Sequence, residues 1–217
     1  MNVALRLRTV GSPAGGAAGR LLVVLDGPDY VSRGRLLPVL RRHVETGDLL
    51  PLRVALVSAP DRFEDFSASA RYGRALAAAL DELGRARRVG VGASLGALAL
   101  LHAHRLEPRA FAGLFLQSGS YFRGRTDPQE RGFTRFGRID RFVGGVLRNV
   151  DGARPVPTTI TCALDEENYT NNAVLAQALA AQGYAVDFHA ARGSHDWPTW
   201  RRAVESHLPA LLRNVWR

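Results

Sequence analysis

The stretch Arg88-Val89-Gly90-Val91-Gly92-Ala93-Ser94-Leu95-Gly96-Ala97-Leu98 decides how the chain is read. Its first half is a short apolar run, the kind that forms a strand buried on both faces of a parallel sheet. Its second half opens a helical segment, residues 95 to 106, closed by Pro108. Between them lies Gly92-Ala93-Ser94-Leu95-Gly96, a G-x-S-x-G pentapeptide. A strand that turns at once into a helix needs small residues around the serine, and it holds Ser94 at the strand's carboxyl end. The Leu95 N–H can then face an oxyanion forming on a substrate carbonyl. Two other readings compete: a plain glycine turn, and a dinucleotide fingerprint beginning at Gly90 and Gly92. Position 95 is Leu where that fingerprint wants its third glycine, and the motif sits mid-chain rather than after a first strand.

Working outward, the same alternation recurs on both sides. Residues 20 to 25, Arg-Leu-Leu-Val-Val-Leu, read as a buried strand that stops at the turn signal Asp26-Gly27-Pro28-Asp29. Residues 34 to 45 and 68 to 84 have helical periodicity, and residues 53 to 59 and 111 to 116 read as further strands. After an Arg- and Gly-rich interval, residues 119 to 150, strand 158 to 163, helix 171 to 182, strand 185 to 189 and helix 197 to 214 resume the rhythm. Such alternation predicts an α/β protein with a mostly parallel, doubly wound sheet flanked by helices. We expect one domain over residues 1 to 217. Residues 1 to 19 supply an N-terminal strand and a flexible loop, and residues 120 to 150 a small cap insertion.

Hydrophobic residues make up 46% and charged residues 23% of the 217, as in soluble globular domains. No apolar run reaches the roughly 18 residues of a membrane span, and the N-terminus lacks the apolar core of a signal peptide. These features predict a cytoplasmic protein with no membrane partner. The formal charge is +9, and every basic residue is Arg. The arginines are spread along the chain, densest between Arg123 and Arg148, which fits the codon usage of a GC-rich genome better than a nucleic-acid surface. A lone cysteine, Cys162, excludes an intrachain disulfide and a multi-thiolate metal site. The six histidines are scattered, so no metal and no cofactor is implied.

A serine hydroxyl at neutral pH needs a base to take its proton. In a strand-turn-helix hydrolase the chain order is serine, acid, histidine, and the base lies in the loop after the last strand. That loop reads Gly193-Ser194-His195-Asp196-Trp197-Pro198, which nominates His195 ahead of His189 and His207. The acid should follow the preceding strand, where Asp165, Glu166 and Glu167 all stand. Its task is to accept the imidazole N–H and to stabilise the imidazolium. The residues themselves do not choose among the three.

With these motifs in place, the chain resembles the enterochelin-esterase-like branch of the α/β-hydrolases from about residue 20 to its end. The resemblance rests on Leu25-Asp26-Gly27, the Ser94 pentapeptide, Leu116-Gln117-Ser118-Gly119-Ser120, Asp165-Glu166-Glu167-Asn168, and Ser194-His195-Asp196-Trp197 with Trp200. Carried over, the family's strand-end G-x-x-[DE] pattern places the acid at Glu166, with Ala163 in the glycine position and Asp165 as runner-up. It implies a second oxyanion donor near Asp26-Gly27. Pro28 has no N–H to give, so Gly27 is the expected donor and Asp29 the alternative.

Arg62, Tyr30 and Trp197 are the expected substrate-contacting residues. Arg62 would meet an acidic or polyphenolic group with its guanidinium fork, or else pair with Asp61 or Glu64. Tyr30 and Trp197 would wall an aromatic pocket or pack on the core. The expected activity is a cofactor-independent carboxylic ester hydrolase acting on a small molecule. An acyltransferase with the same three residues and an inactive binding protein are the alternatives.

Overall fold

A computed structural model describes residues 3–11, 17–149 and 154–217. It contains one sheet of seven strands: β1 (Ala4–Val10), β2 (Arg20–Leu25), β3 (Leu52–Ser58), β4 (Arg87–Ala93), β5 (Gly113–Gln117), β6 (Thr158–Ala163) and β7 (Val186–Ala191). Their order is β1-β3-β2-β4-β5-β6-β7; β1 runs antiparallel to β3, and every other pair is parallel. The order reverses about β2 and β4, so the strand ends there fan apart, the place where open α/β sheets carry their sites.

The continuous apolar runs follow from having both faces covered. In β2, Leu21, Val23 and Leu25 enter one core, while Leu22 and Val24 enter the other. The first core is closed by α4 (Ala70–Asp81), α5 (Leu95–Leu106), α6 (Phe136–Leu147) and α7 (Tyr169–Ala181). The second is closed by α1 (Gly27–Ser32), α2 (Leu36–Glu45) and α8 (Trp197–Val215). A short α3 (Arg62–Phe66) follows β3. In β4 the alternation Val-Gly-Val-Gly has a packing cause. Val89 and Val91 face the second core. A Cβ on Gly90 would come within 2.9 Å of Leu100, so glycine lets α5 lie close on the other face.

Two expectations change. The Asp26-Gly27-Pro28-Asp29 segment is not only a turn: Asp26 takes a left-handed conformation (φ 54) and α1 starts at once, with Pro28 in its first turn, where the missing N–H costs nothing. The interval 120 to 150 is not a cap as a whole. Its second half is α6, whose Ile139, Val143 and Val146 pack into the first core with Leu175 and Leu179 of α7. Only the part before α6 borders the sheet's carboxyl edge. The expected flexible loop falls largely on residues 12–16, and the interval's last residue is 150; these lie outside the described residues.

Candidate active site

Three neighbouring strands, β2, β4 and β5, each end in a residue other than glycine with positive φ: Asp26 (54°), Ser94 (55°) and Ser118 (46°). Each such conformation costs on the order of 1–3 kcal/mol, and strain of this kind gathers where a site needs it. Ser94 stands between β4 and α5 with ψ −123°, half-buried, its carbonyl receiving the first helical N–H groups, from Ala97 and Leu98. Gly92 is required because a Cβ there would lie 2.6 Å from the Gly96 backbone. A Cβ on Gly96 would meet nothing nearer than the Asp26 carboxylate at 3.5 Å.

Just past the carboxyl ends of β6 and β7, Glu166 and His195 meet. The His195 Nδ1 lies 2.7 Å from Glu166 Oε2. The other carboxylate oxygen accepts from the Ser118 hydroxyl at 2.7 Å and from the Ala163 N–H at 3.0 Å. The Glu166 side chain is 1% exposed and that of His195 is 42% exposed. Burial alone would raise the Glu166 carboxyl, but the bonds from His195, Ser118 and Ala163 outweigh it and hold the group below the usual glutamate range. An ionised carboxylate only accepts, so Nδ1 carries the proton and Nε2 is left as the basic nitrogen. Asp165, by contrast, is exposed and bonds to none of these groups.

A further relay fixes the acid from behind. Tyr30 donates to Gln117 Oε1 (2.7 Å), Gln117 donates to the Trp200 carbonyl (2.9 Å), and the Trp200 indole donates to Ser118 Oγ (3.0 Å). Asn168 and Asn172 brace the same loop through the Ser118 and Gly119 carbonyls and the Gly119 N–H. The Trp200 ring also stands edge-on to His195, with centroids 5.0 Å apart. None of these supporting roles is visible in motif spacing. The one signal is the run of four polar or small residues, Gln117 to Ser120, directly at a strand end.

Ser94 and Ser118 follow paired residues, Ala93 and Gln117, on adjacent strands. Ser94 therefore emerges beside the serine that holds the acid. Its hydroxyl lies 3.1 Å from Ser120 Oγ; among the described residues its hydrogen-bond partner is Ser120, not His195. The nearby thiol of Cys162 is no rival nucleophile: burial, then the Glu166 charge, push it up to about 12.

The remaining expected residues fall as follows. Leu95 is the first residue of α5, and Gly27 begins α1 at the end of β2, its Cα packed on Leu56 so closely that a Cβ would lie at 2.6 Å. Arg62 pairs with neither Asp61 nor Glu64; its fork grips the Asp26 carboxylate with bonds of 2.9, 3.0 and 2.9 Å. Asp61 instead caps α3, and Glu64 binds Arg135 and Arg138. Tyr30 has no accessible surface, so it is a core residue and not a pocket wall. Trp197 is half-buried, wedged between Tyr30, Trp200 and the Arg33 guanidinium.

No family profile and no curated protein matches the chain. Solved structures do. The enterobactin esterase FES from Shigella flexneri, in the presence of enterobactin, superposes with a TM-score of 0.81 at 21% identity, over 97% of this chain and 55% of that one. A ferulic acid esterase matches at TM-score 0.68 and 16% identity over 99% of both chains. An S-formylglutathione hydrolase from Staphylococcus aureus matches at 0.64 and 12% over 97% of both. The chain thus spans about 55% of the length of the enterobactin esterase. It has the α/β-hydrolase fold. Among the described residues no helix is long and apolar enough to cross a membrane.

Proposed function

We propose that this protein is a serine-dependent carboxylic ester hydrolase, with Ser94 as nucleophile, His195 as general base and Glu166 as the acid that orients it. The observation that carries the proposal is the buried, ionised Glu166 bonded to His195 Nδ1 on the same sheet edge where a strained turn presents Ser94. Esterases among the structural neighbours favour the same chemistry.

In this reading Ser94 leaves its resting contact with Ser120 when an ester enters, and its proton passes to His195 Nε2 as Oγ bonds to the carbonyl carbon. The carbonyl oxygen takes the negative charge and is held by the N–H groups of Leu95 and Gly27. The C–O bond to the leaving alcohol then breaks, and His195 returns the proton to that alcohol. Water, deprotonated by His195, attacks the acyl-Ser94 ester; collapse releases the carboxylic acid and restores the serine. Glu166 stays ionised throughout and stabilises the imidazolium. Arg62, locked to Asp26, acts mainly by fixing the left-handed residue before Gly27.

A fluorophosphonate probe should label wild-type protein at Ser94. Ser94→Ala should abolish both labelling and p-nitrophenyl butyrate turnover, with an unchanged circular dichroism spectrum. Turnover that survives the substitution would refute the assignment.

A further inference from the structure

Between α8 and the carboxyl ends of β6 and β7 lies a cleft of about 160 Å³. It stays open because the facing side chains are small: Ala163 of β6, its register partner Ala191 of β7, and Ala203 of α8 all line it. The α8 residues that border it, from Thr199 to His207, recur every three or four positions and so share one helix face. Ser94, Glu166 and His195 do not line it.

The polar groups around this cleft are mainly donors without an anionic partner. Arg192 borders it and makes no hydrogen bond or ion pair among the described residues. Arg202, on the α8 wall, gives one N–H to the neutral Thr199 hydroxyl at 3.2 Å and forms no ion pair among them. Its Nη2 stands 3.2 Å from where a Cβ of Gly193 would be, so the guanidinium reaches the residue next to Arg192. His207, stacked on His189 with ring centroids 3.7 Å apart, makes no hydrogen bond among the described residues. No Asp or Glu lines the cleft, and the Asp187 carboxylate is bonded to His189 Nε2 at 2.7 Å.

The floor adds an independent observation. Ile160 enters the first core, so Thr161, next along β6, faces the other way, towards α8 and the cleft. Thr161 is 5% exposed, yet its hydroxyl has no hydrogen-bond partner among the described residues. Buried hydroxyls normally have one.

We propose that the cleft binds a small tetrahedral oxyanion, phosphate or sulfate, held by Arg192 and Arg202 and receiving a hydrogen bond from the Thr161 hydroxyl. A guanidinium fork meets two oxygens of such an anion at once. Donors arriving from β6, from the end of β7 and from α8 suit four tetrahedral oxygens better than the two of a planar carboxylate. The volume fits a compact ion rather than a drug-sized ligand, which needs roughly 300 Å³ or more. The site is separate from the esterase reading and does not depend on it.

Inorganic phosphate, sulfate and acetate, titrated calorimetrically into the full chain at one fixed ionic strength, test the proposal. Phosphate and sulfate should bind saturably at one site, and acetate at least about tenfold more weakly. Arg192→Ala, which removes no structural bond, should weaken phosphate binding at least about tenfold. Thr161→Val keeps the side chain's shape and should weaken it at least about fivefold, while melting no lower than wild type in phosphate-free buffer. Arg141→Ala on α6, on the other face of the sheet, and Ser94→Ala should both bind as wild type does. Absence of saturable phosphate binding up to about 10 mM would overturn the proposal. So would acetate binding as tightly as phosphate, or unchanged affinity in Arg192→Ala or Thr161→Val. Equal loss in Arg141→Ala (general charge attraction), loss in Ser94→Ala (binding at the serine turn), or a lowered melting point in Thr161→Val (an internal partner for the hydroxyl) would overturn it as well.

Discussion

The two halves of the site are built by different physics. The serine half is mainly local: Gly92, Ser94 and Gly96 lie within five residues, and the backbone turn projects the hydroxyl, which then rests on Ser120. The acid-base half is long-range: Glu166 is held by Ser118, 48 residues away, and Ser118 by Trp200, a further 82 away. A strained backbone turn tolerates few side chains but needs no distant partner. A hydrogen-bonded carboxylate tolerates change around it only while its donors stay in place.

Among changes that leave Ser94 in place, Glu166→Gln should be the most damaging to activity. It keeps the shape but removes the charge that stabilises the imidazolium, so kcat should fall by about 10²–10⁴. Asp165→Asn should leave kcat unchanged; if it proved the more harmful of the two, the acid would have been misassigned. Gly92→Ala should damage the fold itself. Its Cβ would meet backbone rather than a movable side chain, so we expect a loss on the order of 3 kcal/mol, read as a lower midpoint in urea. Ser118→Ala should cost less, about 1–2 kcal/mol, because the Trp200 indole loses its acceptor and Glu166 loses a donor. Its kcat should drop more than its KM rises. Gly96→Ala should be the mildest, under about 1 kcal/mol, since its Cβ would sit at ordinary contact distance. Equal stability losses in Gly92→Ala and Gly96→Ala would show that close backbone approach at Gly92 does not define the serine turn.

Acid sharpens the same contrast. The folded-state pKa of Glu166 lies below its ordinary value, so its bonds contribute fully above the unfolded glutamate range, about 4.3, and are lost as pH falls through the lower folded value. Thermal melting of wild type and Glu166→Gln should therefore differ most near neutrality and converge in acid. Curves that stay parallel down to strongly acidic pH would show that the charge of Glu166 contributes nothing to the fold.

What the sequence makes legible follows the same division. Each inner strand is found within about two residues, because a parallel sheet covered on both faces leaves a continuous apolar run such as Leu21 to Leu25. The serine turn is legible because its steric demand falls on neighbours in the chain. The supporting roles of Ser118, Trp200 and Asn172 are not, since a hydrogen bond spanning tens of residues leaves no periodicity. Tyr30 illustrates the opposite error: an aromatic next to a site motif reads as a pocket wall, yet α1 turns it inward to Gln117. Arg62 misleads for a related reason, since its partner Asp26 is a sheet neighbour 36 residues back rather than a carboxylate beside it in sequence.

The sheet's two outermost strands bear on how the protein behaves when concentrated. β1 and β7 each have a side that no other strand in the sheet covers, and such margins invite a second chain to add on. Arg6 and Arg8 stand exposed on β1, while β7 carries the exposed Asp187 carboxylate, hydrogen-bonded to His189. A strand approaching either margin must strip water from fixed charge, so these residues guard the protein against edge-to-edge aggregation.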